Sequence, residues 1–150
     1  MKAITLLLSL FVISCACKTH TTDSAANIEK SAELMSKITY ESSTRGFFHS
    51  ITIENGFITS SKVRDEKGTQ VQLSANEMQV IQKELEKLEL AKIPALEAPS
   101  EKRFYDAAPI AYLEVIDNNK SYKTTEFDGG FPPMYIEKLV NTILAIAEKK

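Results

Sequence analysis

Few residues in this 150-residue chain have the type and spacing to do chemistry, and most of them fall in segments that read as loops. The only histidines are His20 and His49, and no Cys, His, Asp or Glu group has the spacing of a metal site, so no metal is expected. A G-x-S-x-G nucleophile elbow and glycine-rich phosphate loops are both absent. No catalytic residue and no cofactor is therefore implied. One enzymatic reading survives: a hydrolase in which His49 works with Asp106 or Asp128. It requires an accessible imidazole with a carboxylate in hydrogen-bond reach. The plainer reading makes His49 a core or sheet-edge histidine with a single hydrogen bond.

Three segments combine charge, aromatic rings and small residues: Ser43-Thr44-Arg45-Gly46-Phe47, Lys102-Arg103-Phe104-Tyr105-Asp106 and Asp128-Gly129-Gly130-Phe131-Pro132-Pro133. Exposed loops held by a scaffold are where binding usually sits. If the three converge, Arg45 and Arg103 would offer a forked cation to a carboxylate or phosphate, and Phe47, Tyr105 and Phe131 would add rigid apolar contact. Asp106 and Asp128 complete the candidate binding set. In the alternative, Asp106 and Asp128 pair with the arginines to pin a long connection, and Phe104 and Phe131 plug the ends of the core.

These segments must be positioned by regular elements. Alternation and turn residues predict a meander of strands at 37–42, 47–53, 57–64 and 69–73. Glu54-Asn55-Gly56 supplies hairpin chemistry, because Asn and Gly tolerate positive φ. Phe47, His49, Ile51 and Ile53 fall on one face of the second strand, which is the expected core side. Ser74 and Glu77 form a capping box that should start a helix carrying Met78, Ile81, Leu85 and Leu88 on one stripe, with Pro94 barring its continuation. A connection from Pro94 to Pro109 leads to a second hairpin, 110–116 and 120–127, turned by Asp117-Asn118-Asn119. Pro133 suits the first turn of a closing helix whose stripe is Ile136, Leu139, Val140, Ile143, Leu144 and Ala147. Strands followed by helices imply an α+β domain over 35–150: an antiparallel sheet of about five to six strands, in the order β-β-β-β-α-β-β-α, with both helices packed on one face.

The first seventeen residues read differently. One charge at Lys2 precedes an apolar run of about eleven residues, within the ~7 to 15 of a signal segment and short of the ~20 needed to span a bilayer. Val12-Ile13-Ser14-Cys15 resembles the lipobox of bacterial lipoproteins. That resemblance implies cleavage after residue 14 and acylation of Cys15, with Cys17 as the alternative acceptor. The ordinary-secretion alternative leaves both cysteines there by chance. Either way the remaining chain has no cysteine, so the domain holds no disulfide. Residues 18–27 are small and polar with no apolar period, the composition of a flexible spacer, so 15–34 are expected to be the lipidated cysteine and a spacer. Asp23-Ser24-Ala25 resembles the O-glycosylation site of exported Bacteroidetes proteins, which would place a glycan on Ser24. The acidic surface-export signal of that group is missing after the cysteine, which favours a periplasm-facing location.

Twenty acidic residues against 18 basic give a formal net charge of −2, and there is no basic stripe. A nucleic-acid partner therefore has no electrostatic footprint. Arg45-Gly46-Phe47, Phe104-Tyr105-Asp106 and Phe127-Asp128-Gly129-Gly130-Phe131-Pro132-Pro133, together with the element order over 38–147, resemble small exported lipoproteins of the Bacteroidetes type, a domain family of unknown function. Family members often carry cysteines near the first turn; Ser43-Thr44-Arg45 stands there in this chain, so no role of those cysteines carries over. The resemblance implies the fold but no activity. The reading that follows is a lipid-anchored envelope protein, its partners the membrane and an envelope protein, acting as a non-catalytic binding or structural module. Two alternatives are the hydrolase above and an inhibitor of a secreted enzyme, which would expose an apolar tip at Gly46-Phe47-Phe48.

Overall fold

Alternating apolar residues build a single antiparallel sheet in the computed structural model, which describes residues 37–150. The signal-like segment, Cys15, Cys17, His20 and Ser24 lie outside the described residues. Strands β1 (Lys37–Ser43), β2 (Phe48–Glu54), β3 (Phe57–Ser61) and β4 (Thr69–Gln72) form the meander. Helix α1 (Ala75–Leu85) and two 3₁₀ turns, η1 (Leu90–Ala95) and η2 (Lys102–Tyr105), lead to β5 (Ile110–Asp117), β6 (Lys120–Lys123), β7 (Phe127–Asp128) and helix α2 (Glu137–Ala147). The strand order is β4-β3-β2-β1-β5-β6, with β7 also paired to β5. β1 is thus central, flanked by its hairpin partner β2 and by β5, which returns after α1.

One face of the sheet carries Ile38, Tyr40, Ile51, Ile53, Ile58, Ala111, Leu113 and Val115, all buried. Met78 and Ile81 of α1 and Leu139, Val140, Ile143 and Ile146 of α2 belong to the same core, and the two helices pack against each other. The protein is therefore of the α+β class, with both helices over one face of the sheet. At about 1.5 to 3 kcal/mol for each large apolar side chain buried, this layer dominates stability. The other face is polar: the Tyr112 hydroxyl donates to Glu41 at 3.0 Å, and the Lys123 ammonium lies 3.6 Å from the centre of the Tyr112 ring.

Turn chemistry agrees with the sequence. Asn55 and Gly56 have φ of 51° and 79°, and Asn118 and Asn119 have 47° and 61°. These left-handed pairs match the twist of two-residue hairpins. The capping box is also present: Glu77 N–H donates to the Ser74 hydroxyl, and Ser74 N–H donates to the Glu77 carboxylate at 2.8 Å. The hydrogen bonds from the Ser74 backbone and hydroxyl, helped by Lys150, outweigh the opposing effect of burial and hold that carboxyl at about 2.

Several boundaries differ from the sequence expectation, each for a local reason. β2 starts at Phe48, and Phe47 is 47% exposed rather than core. β3 stops at Ser61, whose hydroxyl donates to the Val63 carbonyl and turns the chain out of the sheet. α1 ends at Leu85, well before Pro94, and Pro94 lies inside η1. α2 starts at Glu137, because Pro133 to Ile136 form a turn closed by Ile136 N–H to the Pro133 carbonyl at 3.0 Å.

The expected strand 120–127 is split by a bulge with consequences for the site. β6 and β7 both pair with β5, but the register of β7 is shifted by one residue: Lys123 faces Glu114, whereas Phe127 faces Ala111. The buried Thr124 stabilises the break, its hydroxyl accepting from Leu113 N–H at 3.1 Å while its own N–H donates to the Leu113 carbonyl. An extra residue inverts the facing of everything after it. Phe127 is thereby turned into the core beside Tyr40, and Asp128 to the opposite side, under the 97–109 connection.

Candidate functional site

Asp128 is fully buried and organises that connection. Its carboxylate accepts from the Ser100 hydroxyl, from Lys102 N–H at 2.8 Å, from Arg103 N–H at 2.9 Å and from the Arg103 guanidinium at 3.2 Å. Burial would raise this carboxyl, but the Ser100 hydroxyl, the Arg103 and Lys102 backbone N–H groups and the Arg103 side chain outweigh it and hold it at about 2. The Arg103 side chain is only 10% exposed, and its Nη1 also donates to the Ser100 carbonyl at 2.7 Å. Asp128 therefore caps η2 and clamps it to β7. This is the pinning role that the alternative reading gave Asp128, and it removes Arg103 and Asp128 from the set of groups able to meet a ligand.

The rest of that alternative does not hold. Asp106 is the left-handed cap of η2, with φ of 54°, and makes no ion pair among the described residues. Phe104 and Phe131 do not plug the core, being 65% and 48% exposed. Tyr105 is 78% exposed. The clamp instead sets these rings outside the fold: the Arg103 guanidinium lies 4.2 Å from the centre of the Phe104 ring, and the Lys102 ammonium 4.0 Å from that of Phe131. Each cation covers one face of its ring.

Strand register brings the three loop segments to one end of the sheet. Ser43 faces both Phe48 and Ile110, and Ile110 faces Asp128, so the 44–47, 104–109 and 129–131 segments emerge together. Gly129 makes the closeness possible, because a Cβ there would lie 2.6 Å from the Ser42 hydroxyl and 3.1 Å from a Pro109 carbon. Arg45 is exposed at this end. Convergence is thus at the level of one end of the molecule. Of the candidate residues, Phe47 and Arg103 each line a surface groove, but two different ones, and neither Arg45 nor Tyr105 lines those grooves or a third beside α1 and α2.

His49 sits in one of those grooves, about 680 Å³ in volume, beside Phe47, Ser60, Lys62 and Glu148. Its Nε2 lies 3.2 Å from the Ser60 hydroxyl. Burial and then the Lys62 charge push the imidazole pKa down and favour the uncharged ring, against an opposing pull from Glu148. Neither Asp106 nor Asp128 is its partner, and Asp128 is committed to η2. The pairing proposed for a hydrolase is therefore not formed. Among the described residues no three His, Cys, Asp or Glu side chains converge to hold a metal ion, and no helix is long and apolar enough to cross a membrane.

Sequence reasoning missed Lys102 and Ser100 as organisers, along with Met134, which is 87% exposed just after the Phe131 segment. The available signal was the acidic residue opening a Gly-Gly-aromatic segment, opposite a Ser-x-Lys-Arg stretch that needs a cap. Compared with known proteins, the chain matches no family model, no curated protein and no solved structure.

Proposed function

We propose that this protein is a non-catalytic binding module, tethered to a membrane of the cell envelope through an acylated Cys15 and facing the periplasm, which presents an aromatic end to an envelope protein. The observation that carries this reading is the exposure of Phe104, Tyr105 and Phe131 on two segments that the buried Asp128–Arg103 pair clamps to each other. Exposed rings on a mobile loop would lose entropy on binding, whereas clamped rings lose little. Aromatic residues are also the side chains that most often anchor protein interfaces.

The topology supports the orientation. β1 begins at Lys37, opposite Ile116 and beside the polar Asn55-Gly56 and Asn118-Asn119 turns. It ends, roughly 20 Å away at ~3.3 Å per residue, at the aromatic end. A tether entering at Lys37 would leave the polar end towards the lipid and the rings pointing away from it.

Two measurements test the proposal. Fatty-acid labelling of the full chain should be lost in Cys15→Ala and retained in Cys17→Ala. Crosslinking and affinity capture from solubilised envelopes should recover a stoichiometric protein from the wild type and lose it in the Phe104→Ser, Tyr105→Ser, Phe131→Ser triple variant. Arg103→Ala is unsuitable for this purpose, since it breaks the clamp. Equal recovery by both proteins refutes the aromatic surface. A captured partner that is itself a secreted enzyme would favour the inhibitor reading, which the 47% exposure of Phe47 at the same end also allows.

A further inference from the structure

The sheet has two edges, and they are treated unequally. β6 carries Lys120 and Lys123, and η1 packs against it, with the Thr125 hydroxyl donating to the Leu96 carbonyl at 2.6 Å. Charged lysines and a covering segment are the usual means of keeping an edge from pairing. β4 reads Thr69-Gln70-Val71-Gln72, with no charge, no proline and no bulge, and no described element lies along its outer side.

The hydrogen-bond phase of β4 defines what this edge offers. Leu73 N–H donates to the Gly56 carbonyl at 2.9 Å, and Ile58 faces Val71 while Ser60 faces Thr69. In an antiparallel ladder alternate residues point their N–H and C=O towards the partner strand. Thr69, Val71 and Leu73 therefore bond inward to β3, and the backbone groups of Gln70 and Gln72 point outward. We propose that β4 pairs with β4 of a second copy of this chain, antiparallel about a twofold axis at Val71. The inference does not depend on the lipid anchor or on the aromatic end.

The edge is self-complementary in that register. Gln70 of one copy faces Gln72 of the other and the two exchange both backbone hydrogen bonds, twice by symmetry. The glutamine side chains stack on the polar face, and Val71 meets its counterpart on the helix face. No like charges oppose one another, because the paired segment has none. A four-residue contact is small, so the dimer should be weak and concentration-dependent.

Sedimentation of the detergent-solubilised full chain over a range of concentrations tests this. The wild type should dimerise. Gln70→Lys combined with Gln72→Lys places lysine opposite lysine at both symmetric positions and should weaken the dimer about tenfold or more. Gln70→Lys combined with Gln72→Glu places opposite charges face to face and should restore it. Both side chains lie on the polar face and outside the core, and unchanged thermal melts confirm that the fold is kept. A wild type that stays monomeric throughout overturns the proposal, as does a dimer indifferent to both variants. Loss of the dimer in both variants overturns the twofold register.

Discussion

Replacing Asp128 by alanine removes the one buried carboxylate that holds the 97–109 connection to the sheet, and the cost follows from what is left behind. Arg103 keeps a guanidinium that is only 10% exposed and loses its counter-charge, while the Ser100 hydroxyl and the Lys102 and Arg103 N–H groups lose their acceptor. Breaking a buried pair by removing one partner costs about 3 to 5 kcal/mol. The same contacts hold the carboxyl at about 2, below its ordinary 3.8, the direction expected of a charged form that they stabilise. Chemical denaturation should therefore show Asp128→Ala destabilised by at least about 3 kcal/mol. Hydrogen exchange should show protection lost first at residues 100–107. Adding Arg103→Met to this variant should recover part of the loss, because the stranded charge goes with it. A loss below about 1 kcal/mol, in the range of surface ion pairs, with unchanged exchange in this segment, would refute the clamp.

The remaining predictions concern pH, the cap and close packing. The Asp128 and Glu77 carboxyls are both held at about 2, below their ordinary 3.8 and 4.5, so each stabilises the fold fully above its ordinary value and less as pH falls towards 2. Acid titration followed by circular dichroism should show stability falling across that window, with a smaller fall in Asp128→Asn. Ser74→Ala should cost about 1 kcal/mol, read as a lower denaturation midpoint, by removing the acceptor for Glu77 N–H. Gly129→Ala should cost about 1 to 3 kcal/mol, because its Cβ would meet Ser42 and Pro109. Ile143→Ala should cost about 2 to 5 kcal/mol in the fully buried core, whereas Met134→Ala, 87% exposed, should change stability by no more than about 0.5 kcal/mol.

Local patterns carried the architecture. The Asn-Gly and Asn-Asn turns, the Ser74–Glu77 box and the Ile-rich alternation of β1, β2 and β5 each specify a short stretch of backbone from residues adjacent in the chain, and the amphipathic stripes show which helix faces must be covered. The sequence thus sufficed for an antiparallel sheet under two helices, and for the absence of cysteine from the domain. It also singled out the segments that meet at one end of the sheet. Tertiary structure alone decided which member of each segment points inward. A one-residue bulge after Thr124, held by a hydrogen bond to Leu113 eleven residues away, turns Phe127 into the core and Asp128 beneath η2. No periodicity within 120–128 announces that inversion, because the bulge is fixed by β5 and the carboxylate by the connection that crosses it. Arg103 and Asp128 consequently became scaffold, and Phe104, Tyr105 and Phe131 surface, since a buried carboxylate needs its donors more than exposed rings need burial.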